Sequence, residues 1–158
     1  MCIVPSSKHI ADKPLTLFLS FLSINKSNPK YSIKNDVLSY FKLANINFNK
    51  KDFQSMEMYY DKIMSLDNIN KAYKDYALIL KITNSPNINN DDKIKSLKPF
   101  LTSPSEFQPI ASELEILYLI ENKKMKTSKI KLDKLLKQNN ISNNQRNRLS
   151  TIDEIYFK

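Results

Sequence analysis

The side chains able to do chemistry are few and poorly placed for it. Cys2 and His9 are the only cysteine and the only histidine, and both fall within the first nine residues. No disulfide framework and no His/Cys metal site can be assembled from them. Three acidic pairs stand out: Asp91 with Asp92, Glu113 with Glu115, and Asp153 with Glu154. Adjacent residues on a helix diverge by about 100° and do not converge on one proton, and no partner base accompanies any pair. Asp91 and Asp92 read more simply as the first turn of a helix, where negative charge meets the positive end of the dipole. Glycine is absent. That excludes the P-loop and the dinucleotide fingerprint, which need residues without Cβ where backbone approaches a phosphate. The expectation is a chain with no catalytic residues, no metal and no cofactor.

Lysine is the other chemistry-bearing residue. The run ENKKMKTSKIKLDKLLK, residues 121–137, interleaves lysines with apolar Met125, Leu132, Leu135 and Leu136. Lys123, Lys124, Lys126, Lys129, Lys131 and Lys134 form a candidate basic surface for an acidic protein, an anionic membrane or nucleic acid. Lysines opposite an apolar stripe are also what any solvated helix face shows, their stems covering its flanks. The net charge is +9 over 158 residues, and only Arg146 and Arg148 among the 25 basic residues are arginine. Nucleic-acid readers favour Arg for bidentate contacts, so nucleic acid is the less expected partner.

These residues need elements to position them. The composition, 41% hydrophobic and 26% charged, is that of a chain that folds. From about residue 33 a period of 3.6 dominates and no strand-type alternation appears. Helices are expected near 12–26, 33–48, 51–66, 70–83, 91–101, 105–122, 125–138 and 142–156. The longest apolar run, PLTLFLSFLSI, is too short to cross a bilayer at about 20 residues per span. It reads as an amphipathic helix with Leu15, Phe18, Leu19 and Leu22 on one side. With no glycine, left-handed helix ends fall to asparagine, and Asn49, Asn84, Asn122 and Asn139 are the candidates. Ser105 followed by Glu106 is an expected N-cap, and Pro99 should shorten or kink its helix.

Short links imply antiparallel neighbours, in a bundle or in stacked hairpins. The helical pairs beginning at Val37 and Pro109 lie 72 residues apart, two repeat units of about 36. The segment VLSYFKLANINFNKKDFQSMEMYYDKIMSLDNIN resembles a tetratricopeptide repeat. Tyr40 stands at its first large position, Leu43 and Ala44 at the large-small pair, and Met56, Tyr60 and Ile63 along the second helix. Met56 replaces the usual alanine, Lys51 the usual turn glycine, and Asn68 the common proline. The second copy, PIASELEILYLIENKKMKTSKIKLDKLLKQNN, puts Ser128 at the small position of its second helix and Ile116 where a small residue is expected. Residues 31–157 are similar to the tetratricopeptide-like domain of the YfgM type, the bacterial envelope family that includes the ancillary subunit of the SecYEG translocon. Members usually carry an amino-terminal transmembrane anchor, so this chain looks amino-terminally shortened, with a remnant of a larger anchored protein as an alternative reading.

The fold expectation is all-α: a right-handed stack of about eight antiparallel helices in hairpins. A tail over 1–11 precedes a single domain, 12–158, with the best repeat at 37–70, a divergent hairpin at 71–104, a weaker repeat at 105–138 and a closing helix at 142–156. The resemblance implies a protein-protein interaction module at the inner membrane or periplasm, with the Sec translocon or periplasmic chaperones as partners; the shortened chain by itself would be cytoplasmic. It also implies that a peptide or helix lies in a concave groove lined by Phe41, Asn45 and Phe48, and by Glu113, Leu117 and Ile120. The alternative is a basic helical protein that binds nucleic acid or an anionic membrane through 123–137.

Overall fold

The structure is a computed structural model that describes residues 35–103 and 105–158. The expected helix at 12–26, Cys2, His9 and the tail at 1–11 lie outside the described residues. Among these there are seven helices and no strand: α1 Asn35–Asn49, α2 Phe53–Ser65, α3 Lys71–Asn84, α4 Asn90–Thr102, α5 Gln108–Glu121, α6 Met125–Leu136 and α7 Asn143–Phe157. The described residues are all-α, and they divide into two compact units, one ending at Pro86 and the other beginning at Asn87. The boundary gives α3 to the first unit and α4 to the second. No described helix is long and apolar enough to cross a membrane.

In the first unit α1 and α2 form a hairpin, and α3 packs on both. Residues spaced three and four apart bring Val37, Phe41 and Ala44, then Met56, Tyr60 and Ile63, then Tyr73, Tyr76 and Ala77 into one core. The Asn84 side-chain amide donates to the Tyr60 hydroxyl at 3.2 Å. Burial pushes the Tyr60 phenol up to about 12, against a smaller opposing effect of that hydrogen bond. Burial, followed by the neighbouring Tyr60, raises Tyr76 as well. A raised pKa stabilises the fold fully below the unfolded value and loses that contribution as pH rises through the folded one. Stability of this unit is therefore expected to fall between pH 10 and about 12. Tyr60→Phe should flatten that fall in a pH series of thermal melts.

In the second unit α4 packs on α5, α5 and α6 form a hairpin, and α7 packs on α6. Ile116, Ile120, Leu132, Leu135, Ile141, Leu149 and Ile152 make one buried cluster. Phe100 meets Phe107 edge-on at 6.5 Å.

The 72-residue offset extends from two helices to three. Shifted by that amount, α1, α2 and α3 fall on α5, α6 and α7 to within one residue at each end. The turns coincide as well. Lys51 and Lys123 take positive φ, 61° and 59°. Each donates its N–H to the carbonyl three residues back, Phe48 or Ile120, and the next residue's N–H reaches five back, to Asn47 or Leu119. This is the Schellman arrangement that closes a helix. The third helices start alike, Asn70 accepting from the Ala72 N–H and Ser142 from the Gln145 N–H.

Three local expectations need correction. The left-handed residues are Lys51, Asn68 and Lys123 and none of the four asparagines expected. Asn49 and Asn84 are still helical and Asn122 is the C-cap, with φ −78°. The left-handed place lies one or two residues further on, and lysine occupies it at an energetic cost of about 1 kcal/mol. Lys51→Gly and Lys123→Gly are each expected to stabilise the chain by about 0.5–1 kcal/mol in denaturant titrations. Pro99 does not shorten α4, which runs on to Thr102. Lys95 and Pro99 are both exposed, so water can satisfy the carbonyl that loses its N–H partner. Ser105 is not the cap of α5: its hydroxyl accepts from the Phe107 N–H in a turn just ahead of the helix, which starts at Gln108.

The two hairpins solve one packing problem with opposite choices. The first buries Ala44 on α1 and Met56 on α2, and at the matching positions the second buries Ile116 on α5 and Ser128 on α6, all with no exposure. The Ser128 hydroxyl donates to the Ile116 carbonyl at 3.1 Å, so the small side chain sits directly against the facing helix. Met56 and Ile116, the large residues at expected small positions, are thus each matched by a small residue on the other helix of the same hairpin.

Candidate partner-binding surfaces

Each unit places its half of the expected groove differently from the expectation. In the first, Phe41 is 6% exposed, its ring 5.6 Å from that of Tyr76 on α3. It is core, because α3 lies over the face of α1 that was expected to be open. Phe48 is half-buried and meets Phe53 edge-on at 6.2 Å across the hairpin turn. Asn45 is half-buried. Tyr59 stacks on Tyr40 with ring centroids 6.1 Å apart, and Lys62 lies over both rings at 5.0 and 5.7 Å.

In the second unit Glu113 is 7% exposed and takes both ends of the Arg148 guanidinium at 2.7 Å. That hydrogen-bonded pairing holds the Arg148 pKa above its ordinary value despite the opposing effect of burial. Ile120 belongs to the buried cluster, and Leu117 packs against it half-buried. Glu113 and Ile120 are therefore not lining residues of an open groove: α7 supplies the side chains that cover them. Phe41 and Glu113 are 72 residues apart, as are Tyr76 and Arg148. The same first-to-third-helix contact is aromatic in one unit and ionic in the other.

The two arginines are both committed internally. Arg146 donates to the Leu136 carbonyl and, at 2.9 Å, to that of Gln138, placing positive charge at the C-terminal end of α6. The basic surface divides in two. Lys124 pairs with Asp91 at 2.7 Å, Lys129 bridges Asp133 and Asp153 at 2.8 and 2.6 Å, and Lys131 meets Glu115 at 2.9 Å. These contacts also occupy three of the acidic candidates, Asp91, Glu115 and Asp153, while Glu113 is taken by Arg148. Lys123, Lys126 and Lys134 are exposed and enter none of these ion pairs.

What remains outward has a repeated form. Ile130 on α6 is 61% exposed and Ile46 on α1 is 46% exposed. Each has an exposed lysine four residues before it and another four after: Lys42, Ile46, Lys50 and Lys126, Ile130, Lys134. A spacing of four keeps such side chains on one strip of helix surface, here about 12 Å long at 1.5 Å per residue.

No family model, curated protein or solved structure matches this chain.

The two strips were legible as K-x3-I-x3-K. They pass unnoticed when the lysine run is judged as a whole, since three of its seven lysines pair with carboxylates on neighbouring helices that spacing alone does not reveal.

Proposed function

We propose that the chain is a non-catalytic protein-interaction scaffold of helical hairpins, whose partner contacts centre on the strips Lys42–Ile46–Lys50 and Lys126–Ile130–Lys134. The observation that carries this reading is that each unit presents one exposed isoleucine held between two exposed lysines. Such a strip suits an acidic protein segment with an apolar side chain among its carboxylates: the isoleucine contributes apolar burial, and the lysines contribute complementarity and on-rate. The resemblance to the tetratricopeptide-like domain of the YfgM type supports the scaffold role, and with it a bacterial envelope setting in which the Sec translocon or periplasmic chaperones supply the partner. The internal use of Arg146 and Arg148 weighs against nucleic acid.

Capture from a solubilised envelope fraction tests the reading. Ile46→Glu combined with Ile130→Glu should reduce partner recovery at least tenfold with the helical circular dichroism unchanged. Undiminished recovery would sink it. Binding to DNA or anionic vesicles that survives the double substitution and weakens steeply with salt would replace it with the polyanion reading.

A further inference from the structure

The closing helix α7 takes the place in the second unit that α3 takes in the first, but it is held by different chemistry. Where α3 buries Tyr73, Tyr76 and Ala77, α7 carries Gln145, Arg148 and Leu149. Gln145, 4% exposed, donates from its amide to the Pro109 carbonyl at 2.7 Å. Arg148 grips Glu113, and Asp153 accepts from Lys129 at 2.6 Å. Of its apolar side chains only Leu149 and Ile152 are buried. Its opposite side shows Asn144, Asn147, Ser150, Thr151 and Glu154 to solvent. Water can replace each polar tie as the helix leaves, whereas buried tyrosines have no such substitute. Three asparagines among its first five residues also make α7 a weak helix by itself.

We propose that α7 is a detachable latch, and that the face beneath it on α5 and α6, built around Glu113, Ile120 and Leu132, is an acceptor site for an amphipathic helix. In the closed chain the occupant is α7 itself, and its pattern I-x3-Q-x2-R-L-x2-I from Ile141 to Ile152 states what the site takes. An apolar row fills the cluster with Ile116 and Ile120, glutamine reaches the Pro109 carbonyl at the start of α5, and arginine meets the buried carboxylate. The latch opens as a local unit while the α5–α6 hairpin stays formed. This inference stands independently of the lysine strips.

Hydrogen exchange on the full chain tests the first half. Amides of α7 should exchange at least tenfold faster than the slowest amides of α5, and Arg148→Met should speed α7 by at least a further thirtyfold with α1 to α3 unaffected. For the second half, a labelled peptide of residues 141–158 is titrated into the full chain and into its Leu149→Asp/Ile152→Asp variant, whose own α7 is released. The variant should bind the peptide at least tenfold more tightly than the wild type, in which the site is filled. Exchange of α7 in step with α5 in the wild type would overturn the proposal. So would a released variant that fails to take up the peptide.

Discussion

Ile116→Ala alone is expected to lower stability by about 3 kcal/mol, and Ser128→Met alone by about 2 kcal/mol, yet the two together should cost less than either. The reason lies in the mirrored choice at the hairpin interface. Ile116 and Ser128 are both fully buried and joined through the serine hydroxyl and the Ile116 carbonyl. Truncating the isoleucine opens a cavity that the short facing side chain cannot fill. Enlarging the serine drives a long thioether into occupied space and removes its hydrogen bond. Doing both installs the alanine-methionine combination that the first hairpin carries at Ala44 and Met56, also with no exposure. Methionine, with three rotatable bonds, is well suited to filling the vacated volume. Denaturant titrations of the four proteins form a double-mutant cycle, and the coupling should favour the pair by at least 2 kcal/mol. Additive losses would show that the second hairpin is not packed in the way the first is.

Helix identity and extent were legible in the sequence because two local signals agree. The apolar spacing gives each helix its buried side, and Asp52, Asn70, Asn89 and Ser142 stand at starts where their side chains do accept backbone N–H groups. The 72-residue offset was also legible for the first two helices. Its third member was hidden because Tyr73, Tyr76 and Ala77 share no chemistry with Gln145, Arg148 and Leu149, although they share a register. The burial of Phe41 and Glu113 was hidden for a related reason. Their own helices leave Phe41 and Glu113 outward, but their exposure is decided by Tyr76 and Arg148, each 35 residues further on. A charged residue such as Glu113 suggests solvent until its partner is known. The left-handed lysines escaped notice because that backbone state depends on distance from the helix end, which is fixed only once the last turn is known to a single residue.

The second large effect follows from that buried carboxylate. Arg148→Met should destabilise the second unit by about 2–3 kcal/mol, below the full range for breaking a buried pair because the Arg148 side chain is 40% exposed. The loss comes from Glu113, which is left 9% exposed at its side chain with its bidentate partner gone. Glu113→Leu added to Arg148→Met should recover most of it, since an apolar contact is what Phe41 and Tyr76 provide in the same register. Lys124→Met, which breaks a pair whose side chains are 50% and 70% exposed, should change stability by less than about 0.5 kcal/mol. Thermal melts of the three variants separate the cases. If Arg148→Met and Lys124→Met prove equally mild, Glu113 is reached by water in solution and the ionic tie does not hold α7. If the single loss is large and the apolar double variant restores it, the tie is structurally replaceable. An ionic contact between first and third helices, where an aromatic one would hold as well, then has its explanation in release of α7 and not in stability.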